Sequence, residues 1–125
     1  MNLQTYLLVK TIEEANELSH AGCKAVLNGL SDINPKEQCT SLQHFINEFN
    51  DMFAMAQMLQ DHGIELPGLK DPMAIMKKKL KVYRYMRAPI NNGILQLTPK
   101  ELDKRTFDMM TLSQIIEGSH DAEQP

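Results

Sequence analysis

The chain has 125 residues and a formal net charge of −3, enough for one domain that buries a real core but not for two, with no advertisement of a nucleic-acid surface. No stretch approaches the roughly 20 apolar residues that span a membrane, and Met1–Ile12 lacks the basic lead and cleavage site of a signal peptide. Cys23 and Cys39 match neither a zinc nor a redox spacing, so a reduced cytoplasmic setting is expected, the host cytoplasm if the chain is viral.

In chain order, residues 3 to 29 read as one long helix. Leu8, Ile12, Ala15, Ser19, Gly22 and Val26 form a stripe at steps of three and four. The small residues Ala15, Ser19 and Gly22 would let another helix approach closely, and Gly29 is the expected stop. Residues 30 to 39 read as a loop carrying Pro35.

A second helix is expected from Thr40 to about His62, stopping at Gly63. Thr40 and Gln43 have the spacing of a capping box. Leu42, Phe45, Ile46, Phe49, Met52, Phe53, Ala56 and Leu59 make one broad apolar face, with Met55 and Met58 opposite. A helix apolar nearly all round predicts burial on more than one side. A third helix should start at Asp71-Pro72, an N-cap followed by proline at the first helical position. It should end near Arg87, before Ala88-Pro89. Asn92-Gly93 between apolar residues signals a short hairpin or an extended arm. Thr98 and Glu101 form another capping box, opening a fourth helix to about Glu117, with a candidate break at Thr106 and a stop at Gly118. The tail after about residue 118 is expected to fray. This is an all-α chain whose apolar surface exceeds what a lone small bundle hides, so a bundle completed by oligomerisation is expected.

Two acidic pairs carry the chemistry: Glu14-x-x-Glu17 and Glu48-x-x-Asp51. An i, i+3 spacing points both carboxylates of a pair the same way on a helix. The first pair, taken alone, reads first as a solvated face, with Lys10 as a local partner to Glu14. The second is harder to place on a surface. No Lys or Arg occurs between Gln38 and Leu69, and Glu48 and Asp51 sit among Phe45, Phe49, Met52 and Met55. A carboxylate near apolar groups is costly unless a cation meets it. His20 and His44 each extend an acidic stripe by one turn, and read as ordinary partly exposed histidines.

The third helix is basic. Lys77, Lys78, Lys79, Lys81, Arg84 and Arg87 are clustered there, out of 13 Lys and Arg in the chain. Lys78, Lys81 and Arg84 recur every three residues on one broad face, which fits a solvated helix, a nucleic-acid patch or a phosphate clamp. Tyr83 and Tyr85 read as packing residues.

The order Glu14-Ala-Asn-Glu17, loop, Glu48-Phe-Asn-Asp51, then Lys78-x-x-Lys81-x-x-Arg84-Tyr85 resembles the all-α nucleoside triphosphate pyrophosphohydrolases, the MazG-like family, over roughly residues 5 to 86. Two features depart from its usual pattern: the long gap from 18 to 47, and Asn47 where many members carry an acid. The resemblance implies Mg²⁺-dependent hydrolysis of a nucleoside triphosphate between the α and β phosphates, with Mn²⁺ as a substitute. It implies Glu14, Glu17, Glu48 and Asp51 as metal ligands, with Glu17 or Glu48 also handling the attacking water. Lys78, Lys81 and Arg84 would hold the phosphates. It further implies a homodimer or homotetramer and a core of residues 1–87; composition, not the resemblance, sets aside membrane and nucleic acid as partners. Residues 88–125 have no counterpart in the family's pattern and are read as an oligomerisation arm or a lid. The alternative is a non-catalytic module on the same scaffold that binds a nucleotide or a partner protein.

Overall fold

The computed structural model of the protein describes residues 1–101 and 104–120. The fold is all-α: α1 (Leu3–Asn28), α2 (Ser41–Asp61), α3 (Pro72–Asn91) and α4 (Lys104–His120). Among the described residues the one strand pair is β1 (Ile33–Asn34) with β2 (Cys39–Thr40), antiparallel, Ile33 opposite Thr40 and Asn34 opposite Cys39. It replaces part of the expected 30–39 loop. None of these helices is long and apolar enough to cross a membrane. The chain divides into two compact units, Met1–Pro67 and Gly68–Pro125. The boundary lies ahead of the expected 87/88, because α3 packs on α4.

In the first unit the helix ends follow their capping chemistry. Asn2 caps α1 by accepting from the Thr5 N–H at 2.8 Å. Gly29 closes it at φ 91°, a conformation open to a residue without Cβ. Thr40 caps α2 through its hydroxyl, which accepts from Gln43 N at 3.1 Å. The reciprocal arm of that box is not made: the Gln43 amide donates to Asn47 Oδ1 instead, at 2.9 Å. α2 ends in a Schellman motif, with Ile64 N bonded to Leu59 O and Gly63 N to Gln60 O. This places Ile64 against the Leu7–Met55–Leu59 core.

The α1 stripe that turns inward is not the one expected. Leu7 and Ala21 are buried, with Thr11, Glu14, Leu18, Gly22 and Ala25 half-buried, while Leu8, Ile12, Ala15, Ser19 and Val26 are exposed. The expected set was one residue out of phase, about 100° around the helix. Met55, expected on the far side of α2, lies in the core at 8% exposure. The other α2 stripe, Leu42, Ile46, Phe49 and Phe53, stays more than 40% exposed.

In the second unit Asp71 caps α3 by accepting from Met73 N at 3.0 Å. The helix does not stop before Pro89; it carries on to Asn91. Pro89 withholds an N–H from the carbonyl four residues back, that of Tyr85, and only two helical residues follow it. The Pro89 carbonyl accepts from both Ile94 N and Leu95 N at 2.9 Å. Asn92-Gly93 makes no hairpin: Gly93, at φ 73°, is the left-handed residue of a second Schellman cap, with Gly93 N bonded to Ile90 O. The Thr98–Glu101 box forms in both directions, Thr98 N to Glu101 Oε2 at 2.6 Å and Glu101 N to Thr98 Oγ1 at 3.3 Å. Helix α4 runs unbroken through Thr106 and past Gly118 to His120. The rest of the expected frayed tail lies outside the described residues.

Candidate metal centre

The two helices of the first unit run antiparallel, the start of α1 tied to the end of α2 by the Gln4 amide donating to His62 O at 3.1 Å. Their seam is layered. At one end Leu7 meets Met55 and Leu59. At the other, α1 passes so close that a Cβ on Gly22 would lie 3.4 Å from the Phe45 ring. That ring stands edge-on to Phe49, with centroids 4.9 Å apart. Between these apolar layers, where the helical repeat would place another core pair, stand acids. Carboxylate oxygens of Glu14, Glu48 and Asp51 lie within 4.8 Å of one another.

The Glu48 side chain is only 12% exposed. Burial pushes its pKa above the ordinary carboxylate range, and the charges of Asp51, Glu17 and Glu14 push it the same way. His44 acts in the opposite direction. All four expected carboxylates therefore share one electrostatic neighbourhood. Three of them form the compact oxygen set, and Glu17, which is exposed, sits beside it. Lys10 makes its ion pair with Glu13, 2.6 Å away, and Glu14 acts on it only as a weaker neighbouring charge.

His44 was undervalued by the sequence. Its side chain is 17% exposed, with Nδ1 2.9 Å from Glu37 Oε2 and Nε2 3.4 Å from Glu48 Oε1. The i, i+4 spacing to Glu48 was visible; Glu37 arrives through the β1–β2 turn, which no helical period could indicate. His20 is exposed.

The basic residues lie on α3 of the second unit. Lys78 lines an apolar cavity with Met76, Tyr83, Met86 and Met109. The Lys81 ammonium and the Arg84 guanidinium flank Tyr85, 5.7 Å and 5.9 Å from its ring centroid. The three are thus spread over more than one side of α3, as a three-residue step drifts around a 3.6-residue helix.

No family model, curated protein or solved structure matches the chain. The chemistry is therefore read from the donor set. Clustered carboxylate oxygens suit a hard divalent cation such as Mg²⁺ or Mn²⁺, and without one the acidic layer is a seam of mutual repulsion.

Proposed function

We propose that the chain is a divalent-cation-dependent nucleoside triphosphate pyrophosphohydrolase of the MazG-like kind. The observation that carries this reading is the acidic layer of Glu14, Glu48 and Asp51, set between apolar layers where burial already strains Glu48. Such a layer is destabilising for the empty fold and becomes favourable once a cation binds. Mg²⁺, or Mn²⁺ in its place, would be held by Glu14, Glu48 and Asp51 with Glu17 alongside. When bound, the cation supplies neutralisation of phosphate charge and acidification of a nearby water.

Glu48, within the oxygen set, is the first candidate to accept the proton of the attacking water, with Glu17 as the exposed second candidate. Water oxygen bonds to the α-phosphorus, the bond to the bridging oxygen of the β-phosphate breaks, and the monophosphate and pyrophosphate leave. Lys78, Lys81 and Arg84 are the proposed phosphate ligands, on the chemistry of their charges alone. The exposed Leu42–Ile46–Phe49–Phe53 stripe supports a homodimer or homotetramer in which a second copy covers it. Both cysteines are free, which supports a cytoplasmic setting.

The test is pyrophosphate release from a panel of canonical and modified nucleoside triphosphates with Mg²⁺, Mn²⁺ or EDTA. EDTA-sensitive release supports the reaction. Absence of release from folded protein, with nucleotide still raising its Tm, would move the assignment to a non-catalytic nucleotide-binding module.

A further inference from the structure

A second donor cluster lies in the first unit, made by a tight turn rather than by helix periodicity. Asn34 organises the turn: its side-chain oxygen accepts from Lys36 N at 2.9 Å, and its carbonyl accepts from Glu37 N and Gln38 N. Gln38 takes the left-handed conformation at φ 53°, and the chain then enters β2 at Cys39. Thr40 caps α2, which places His44 at the fourth position of the helix. Turn, strand and helix thus deliver Glu37, Cys39 and His44 to one point. A carboxylate oxygen, the thiol sulfur and an imidazole nitrogen lie within 4.8 Å of one another.

We propose that Glu37, Cys39 and His44 form a binding site for a borderline divalent transition metal, Zn²⁺ in chemical class, distinct from the all-oxygen layer. The donor set decides the class. A thiolate and an imidazole select Zn²⁺ over Mg²⁺, while carboxylates alone select the reverse. Two further observations support the site. The first is that two of the three donors, Glu37 and His44, line a cavity of about 240 Å³ together with Lys24, Asn28 and Asp32. This leaves room for water as a fourth ligand, as sites with three protein ligands do.

The second is the far side of the imidazole. Nδ1 faces Glu37, while Nε2 lies 3.4 Å from the Glu48 carboxylate. A carboxylate behind a ligating histidine fixes the ring and raises its basicity. Glu37 Oε2 and His44 Nδ1 are already 2.9 Å apart and all three donors lie within 4.8 Å, so closing a tetrahedron with bonds of about 2.0–2.3 Å requires side-chain adjustments of at most about 1 Å. Binding exchanges the Glu37–His44 contact, and the Lys24 contact to Glu37 at 3.7 Å, for metal bonds. The Cys39 thiol releases its proton to solvent.

Co²⁺ titration of the full, reduced chain tests the site. One equivalent should produce thiolate-to-cobalt charge-transfer absorption with tetrahedral visible bands, and Zn²⁺ should bleach both. Cys39→Ser should lose the charge-transfer band and Cys23→Ser should keep it, each with unchanged helical circular dichroism. His44→Ala should weaken Zn²⁺ at least about tenfold. Excess Mg²⁺ should leave the cobalt band in place, so the outcome is independent of the acidic layer's role. A folded wild type without the band, or a band that survives Cys39→Ser, overturns the proposal.

Discussion

The α1–α2 seam holds two kinds of layer on one pair of helices. Around Leu7, Met55 and Leu59 the contacts are apolar and buried. A few turns away the same register brings Glu14, Glu48 and Asp51 together. The first layer stabilises the fold by removing hydrocarbon from water. The second opposes folding, since burial and like charges hold the Glu48 proton more tightly than the unfolded chain would. In our proposal a hard cation, which carboxylate oxygens suit, offsets that cost.

The contrast can be broken by substitution at each layer. The largest expected effect is catalytic: Glu48→Gln should lower Mg²⁺-dependent pyrophosphate release by about 100-fold or more, the scale of a lost general base, with helicity retained. Activity near wild type in that variant would remove Glu48 from the chemistry. In the apolar layer, Leu59→Ala should cost about 2–5 kcal/mol of stability, read as a drop in the urea midpoint. A loss well under 1 kcal/mol would show that this end of the seam is not the core.

Glu48→Gln without metal should move stability the other way, raising Tm near neutral pH. The sign follows from the raised pKa of Glu48. Below the ordinary carboxylate pKa the group is protonated in both states and costs nothing. As pH rises through the interval up to the folded pKa, the unfolded chain releases its proton first, and the contribution of Glu48 to stability falls. A metal-free pH titration of Tm should show this decline in wild type and lose it in Glu48→Gln. A smaller effect is expected on the α2 outer stripe: Ile46→Glu should shift sedimentation toward the monomer while leaving the seam's helicity intact. An unchanged sedimentation coefficient would leave the stripe without a partner copy.

Much of this was legible because it is local. The caps at Thr40 and Asp71 rest on residues three and two apart in sequence, the Thr98–Glu101 box on residues three apart, and the glycine stops at Gly29 and Gly63 on backbone freedom. The convergence of Glu14, Glu48 and Asp51 follows from acids on two facing helices, whereas Glu17, paired with Glu14 by its i, i+3 spacing, stays exposed outside that oxygen set. The inward face of α1 was not legible. A search for apolar periodicity favours Leu8, Ile12 and Val26, whereas the face chosen by packing on α2 contains Thr11 and Glu14, which such a search passes over. Asn92-Gly93 misled because a left-handed glycine serves a hairpin and a Schellman cap equally well. Glu37 was invisible because a turn, not a helical period, carries it to His44.

The central claim is that the acidic layer is a cation site, and Mg²⁺ titration of thermal stability in wild type and Glu48→Gln tests it most directly. At a Mg²⁺ concentration about 100 times its Kd, wild type should gain about 2.7 kcal/mol, and Glu48→Gln should gain far less at the same concentration. Equal responses in the two proteins, or none in either, would contradict it.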